Sequence, residues 1–142
     1  MIKELAREDF KFYTTLRVRY AEVDLQGIVF NANYLTYIDT AITEYFRALG
    51  YTYLDFVKKY SMDFHVIRSI IEYKSPAHFD DELEICLKPE YEGVKIFWKF
   101  SIFNKNKLIC HGEIVYAGVD TETKKLKKID TSVVSTLQLI EN

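Results

Sequence analysis

The chain has 142 residues, 28% charged and 49% hydrophobic, with only 5 Gly and 2 Pro, so it is neither disordered nor collagen-like. Its net charge of −2, from 19 Lys and Arg against 21 Asp and Glu, gives no electrostatic case for wrapping duplex nucleic acid, while leaving room for a local basic patch toward a small phosphorylated ligand. No apolar run approaches the roughly 18 residues of a membrane span, and acidic residues interrupt the opening MIKELAREDF, so a cytoplasmic protein is expected.

Residues 12–20 alternate in polarity. Phe12, Leu16, Val18 and Tyr20 share one parity, while Thr15, Arg17 and Arg19 share the other, which predicts a half-buried strand. A polar loop with Gly27 follows. Over residues 32–49, Tyr34, Ile38, Ala41, Ile42, Tyr45, Phe46 and Leu49 recur at helical spacing. Asn31 or Asn33 can cap this helix, and Gly50 suits the left-handed position beyond its end. The apolar face is wide and aromatic, so the helix should be enclosed, as by a curved sheet. A short second helix is expected over 51–60. Strands are predicted over 63–74, 82–91, 94–103 and 107–119, with turns at Asp80-Asp81, Glu92-Gly93 and 104–106. Met62 and Trp98 read as core. A last short helix starts near Asp130, with Asp130 or Thr131 as its cap. The result is one α+β domain over residues 1–142, a strand and a long helix followed by three or four more strands in an antiparallel meander.

Cys86 and Cys110 lie far apart without a CxxC pair, so inert buried thiols are expected. His65, His78 and His111 are scattered, and neither a metal nor an organic cofactor is expected.

The unusual segment runs from Tyr20 through Asp24, Gly27, Ile28, Val29 and Asn31 to Tyr34. It sets a carboxylate on a loop just before a helix start. The first N–H groups of a helix lack intrahelical partners and can hold an oxyanion, aided by the helix dipole. Asp24 can activate water or attack an acyl carbon. Ile28, Val29 and Phe30 offer a dry floor. These parts suit acyl transfer to water. A plainer reading stands beside this one: Asp24 caps a turn, Gly27 makes a bend and an asparagine caps the helix.

Residues 19–46 resemble the signature of the 4-hydroxybenzoyl-CoA thioesterase family, and within it the YbgC-type bacterial acyl-CoA thioesterases. The shared pattern is Tyr20-x-x-x-Asp24, then Gly27-Ile28-Val29-Phe30, then a helix opening at an aromatic residue. A second match is Ile71-Glu-Tyr73-Lys-Ser-Pro76 followed by Asp81-x-Leu83-x-Ile85. The resemblance spans residues 12–120.

It implies the hotdog fold, an antiparallel sheet of five or six strands wrapped around one long helix, with acyl-CoA hydrolysis and assembly into homodimers or homotetramers with sites between subunits. CoA enters only as part of the substrate, and an acyl carrier protein thioester is the alternative donor. The family's catalytic carboxylate falls on Asp24, its carbonyl-polarising N–H on Asn31 and its preceding tyrosine on Tyr20. Gly27, Ile28 and Val29 would line the substrate. His65, Ile67 and Arg68 would face the partner's site. YbgC-type members commonly carry histidine where this chain has Asn31, which cannot titrate near neutral pH.

Glu44 reads as structural. Lys58, Lys59, Lys105 and residues 124–128 are candidate phosphate contacts or simply solvated. A non-catalytic acyl-CoA or acyl carrier protein binder is the alternative. A hotdog dehydratase is a further one, but it needs a histidine–acid pair, and no histidine lies near Asp24 in sequence.

Overall fold

The computed structural model describes residues 2–142. Five strands form one antiparallel sheet in the order β1-β3-β4-β5-β2. They are β1 (Phe12–Arg17), β2 (Met62–Tyr73), β3 (Glu82–Glu92), β4 (Lys95–Asn104) and β5 (Lys107–Asp120). Helix α1 (Asn33–Ala48) lies on one face, α2 (Tyr53–Tyr60) follows it, and α3 (Thr131–Leu137) packs near the C-terminus.

Alternation explains the sheet. In β4, Ile96, Trp98, Phe100 and Ile102 are buried against the helical layer. Tyr34, Tyr37, Ile38, Ala41, Ile42, Tyr45 and Phe46 of α1 meet them. Aromatic edges fill the interface: the Tyr45 and Trp98 ring centroids lie 5.0 Å apart, at 74°. Such a core excludes water from a large apolar area, the main favourable contribution to folding. Met62 and Trp98 are fully buried, as expected.

Turn chemistry also matches. Gly50 and Gly93 have φ of 96° and 60°, and Asp80 and Lys105 share the left-handed region at 70° and 57°. Asp130 caps α3, its carboxylate accepting the Val133 N–H at 3.0 Å.

Two local expectations fail. The first strand stops at Arg17, three residues early. Val18 N–H donates instead to Asp81 O, and the Glu22 carboxylate accepts the Arg19 N–H at 2.8 Å, closing a 3₁₀ turn over Tyr20–Glu22. Tyr20 therefore leaves the core parity and stands 78% exposed. Neither Asn31 nor Asn33 caps α1. The cap position is Ala32, with no side-chain bond, and Asn33 Nδ2 reaches back to Glu22 O at 2.9 Å.

The face of the sheet away from α1 is also partly closed. His111 is buried there and meets Glu72 at 3.0 Å, and Glu113 pairs with Lys99. Cys86 packs with Phe10 and Phe103, while Cys110 joins the main core. Burial pushes both free thiols up to about 12, which keeps them protonated and inert.

Candidate active site

The loop between β1 and α1 is shaped by its own backbone. Asp24 N–H donates to Ile28 O, and Gly27 N–H donates to Asp24 O, both at 2.9 Å. Gly27 has a φ of 79°, which a side chain would strain. Val23 and Val29 bridge across this turn. Val29 N–H then donates to Ala77 O at 2.9 Å, which ties the loop to the connection between β2 and β3.

Glu22 is the second anchor. Its side chain is only 12% exposed. It accepts from Arg19 N, Arg19 Nε at 3.0 Å and the Tyr37 hydroxyl at 2.9 Å. Burial alone would raise its carboxyl, but these donors and the guanidinium charge together hold it below the usual glutamate value. The Tyr37 hydroxyl moves the other way: burial and the adjacent carboxylate push it up.

Within this frame, Asp24 and Asn31 line one cleft of about 440 Å³. Ile28 and Val29 supply apolar lining, and Tyr73, Lys74, Ser75 and Pro76 line it as well. Asp24 Oδ1 accepts the Gln26 N–H at 2.8 Å. That bond orients the carboxylate. Oδ2 has no protein partner among the described residues. Nor does the N–H of Asn31 or of Ala32 meet a protein acceptor among the described residues. Free donors at a helix start carry positive potential, suited to a developing oxyanion. The cleft thus pairs a fixed carboxylate with unpartnered backbone donors.

The other expected residues separate. Gly27 shapes the turn but does not line the cleft. Tyr20 also lies outside it, its ring edge-on to Phe79 at 5.9 Å. His65, Ile67 and Arg68 are exposed in the middle of β2, with Ile67 at an irregularity in the pairing with β5. In a single copy of the chain they stand away from the cleft. Glu44 pairs with Arg47 on the helix surface, in keeping with a structural role. Lys59 Nζ lies 2.6 Å from the Tyr51 hydroxyl, and Lys127 Nζ contacts Tyr60 O and Ser61 O, both at 3.2 Å. The lysine that reaches the cleft is Lys74. Sequence reasoning missed it and Tyr73 as site residues, although both lie in the second motif.

No group of three or more metal-type side chains gathers among the described residues. Among the described residues, no helix is long and apolar enough to cross a membrane.

Residues 26–111 match the model of the thioesterase superfamily. The chain belongs to that superfamily. YneP of Bacillus subtilis, named as a candidate acyl-CoA thioesterase, is 36% identical over 90 residues, 63% of this chain and 64% of that one. The match thus takes in under two thirds of YneP. The acyl-CoA thioester hydrolase YbgC of Escherichia coli is 28% identical over 126 residues, 87% of this chain and 93% of that one. Among solved structures, a DHNA-CoA thioesterase from Staphylococcus aureus superposes with a TM-score of 0.78 at 25% identity, covering 92% of each chain. The thioesterase-superfamily sheet and helix are therefore the hotdog fold.

Proposed function

We propose that the chain, acting as a single hotdog domain, hydrolyses acyl-CoA thioesters. One observation carries the reading: Asp24 and Asn31 share a cleft in which the carboxylate is oriented and the helix-start N–H is free. Membership of the thioesterase superfamily supports the reaction class.

The thioester carbonyl oxygen lies against the Asn31 N–H. In one route Asp24 takes a proton from water as the water oxygen bonds to the acyl carbon. The oxyanion then collapses, the C–S bond breaks, and the thiolate takes up the proton. Free acid and CoA thiol leave. In the other route Asp24 itself attacks, the C–S bond breaks with departure of the thiolate, and water opens the mixed anhydride, its proton passing to the thiolate. A single turnover in ¹⁸O-water separates them, because only the anhydride route can leave label in Asp24.

Thiol release over short, long and aromatic acyl-CoAs tests the reaction class. Asp24→Ala and Asp24→Asn should each lose about 10²–10⁴-fold in kcat, the range for a general base. Full activity in either folded variant overturns the assignment.

β2 is an edge strand, and its exposed Val66 and Ile67 leave apolar surface open. Open edges invite pairing, so a homodimer or homotetramer is proposed, with His65, Ile67 and Arg68 serving the partner's site. Light scattering that finds a monomer at micromolar concentration would count against it. Free thiols at Cys86 and Cys110 support a cytoplasmic setting.

A second reading is a non-catalytic binder of acyl-CoA or acyl carrier protein thioesters. It is favoured by Asn31, a side chain that cannot relay protons near neutral pH. Calorimetric binding of an acyl-CoA without thiol release would select it.

A further inference from the structure

Tyr73 is the last residue of β2, stands half exposed and lines the same cleft as Asp24. Its hydroxyl donates to the carbonyl of Asn31 at 3.3 Å, across 42 positions of sequence. The same carbonyl accepts the Tyr34 N–H at 3.4 Å. Asn31 C=O and Ala32 N–H belong to one trans, planar peptide group. A donor that holds the oxygen therefore also fixes the direction of the N–H on the opposite edge. It does more than orient. A proton shared with a peptide oxygen draws electron density through the amide and makes its N–H a stronger donor.

The preceding peptide is treated alike. Phe30 C=O accepts the Asn33 N–H at 2.9 Å, which fixes the N–H of Asn31. Two consecutive peptide groups at the start of α1 are thus held at oxygen and left free at nitrogen.

Packing sets the tyrosine in place. Its ring lies 5.8 Å from that of Tyr34, and Tyr34 meets Tyr37 edge-on at 5.8 Å. Tyr37 in turn binds Glu22, which holds the Asp24 loop. Beyond Tyr73, the N–H groups of Lys74 and Ser75 both donate to Ile109 O, at 2.8 and 3.0 Å. One aromatic row therefore links the catalytic loop, the helix start and the end of an edge strand.

We propose that Tyr73 is a positioning residue for thioester cleavage, holding and polarising the 31–32 peptide so that Ala32 N–H joins Asn31 N–H as an oxyanion donor. The inference rests on the hydrolase reading above. Charge on the carbonyl oxygen grows in the transition state, so a strengthened donor acts on kcat more than on KM.

The test compares wild type, Tyr73→Phe, Tyr73→Leu and Asp24→Ala. Tyr73→Phe keeps the ring against Tyr34 and removes only the hydroxyl. Its kcat should fall about tenfold, below the 10²–10³ cost of deleting a donor outright, with KM within about twofold. Its Tm should stay at the wild-type value. Tyr73→Leu should show the same kcat loss and a lowered Tm. Wild-type kcat in Tyr73→Phe would reduce the residue to packing and overturn the proposal. So would a rise in KM alone, which would make Tyr73 a substrate contact.

An activity-independent readout is the Ala32 amide resonance in ¹⁵N-labelled protein. It should move upfield in Tyr73→Phe as the polarising bond is lost, and an unmoved signal overturns the proposal. The two readings fail separately. Wild type as inactive as Asp24→Ala on every thioester defeats the hydrolase reading, and the proposal with it. An active wild type with an unaltered Tyr73→Phe defeats the proposal alone.

Discussion

Helices α1 and α3 begin in opposite ways. At α3 the Asp130 carboxylate takes the Val133 N–H and the Ser132 hydroxyl, at 3.0 and 2.6 Å. α2 is similar, with Thr52 Oγ1 accepting the Asp55 N–H at 3.1 Å. α1 has Ala32 at the cap and no side-chain bond. Its nearest candidate, Asn33, turns away to Glu22. Capped starts stabilise their helices, and an uncapped start forgoes that gain. Here the forgone cap leaves N–H groups open beside a carboxylate. Packing of the buried α1 face compensates, since most helix stability in proteins comes from tertiary burial.

The contrast can be broken at its sharpest point by Asn31→Pro, which removes the N–H itself. Loss of one oxyanion donor costs about 10²–10³ in kcat. Thiol release should fall by that factor while circular dichroism reports an intact fold. Wild-type turnover in the folded Asn31→Pro variant would make the open start incidental.

Asp130→Ala removes a working cap instead. It should cost about 1 kcal/mol of stability in urea and leave kcat alone. Thr52→Ala should behave likewise at the lower end, about 0.5 kcal/mol. Unchanged stability in Asp130→Ala would erase the distinction between the helices.

Glu22→Gln probes what holds the open start in place. The folded glutamate has a depressed pKa, so its contribution is present above the unfolded value, about 4.3, and is lost as pH falls through the folded one. Glu22→Gln should therefore be less stable at pH 7 and lose less stability between about pH 5 and pH 3. Thermal melts across that range would show the two curves converging. Parallel curves would remove Glu22 as a charged anchor.

Much of this architecture was legible because it is local. Two-residue alternation in β4 and helical spacing in α1 require only neighbours. Asp130 reads as a cap because a cap contacts its own first turn. The loop motif brought Asp24 and Asn31 together by resemblance, and they line one cleft because both stand on one short segment. What failed was decided by distant partners. Tyr20 had the right parity for the core, but Asp81 takes over Val18 and the chain turns outward. Asn33 was a reasonable cap, yet Glu22 O lies within reach of its amide. Tyr73 and Lys74 reach the cleft only through the pairing of β2 with β5, with Tyr73 opposite Cys110. The register that brings Glu72 opposite His111 includes a shift between Val66 and Arg68, which no alternation announces.

The strand order also sets a timetable. β3, β4 and β5 follow one another through tight turns, so their pairing closes short loops first. β1 and β2 are the two edges. β1 finds its partner across a gap of 65 positions, between Arg17 and Glu82, and β2 must wait for β5. The cleft takes its lining from the loop after β1 and from the end of β2. A chain with its meander formed and its edges frayed would hold most of its sheet and none of its site. During refolding, the circular dichroism of the sheet should return before the ability to release thiol.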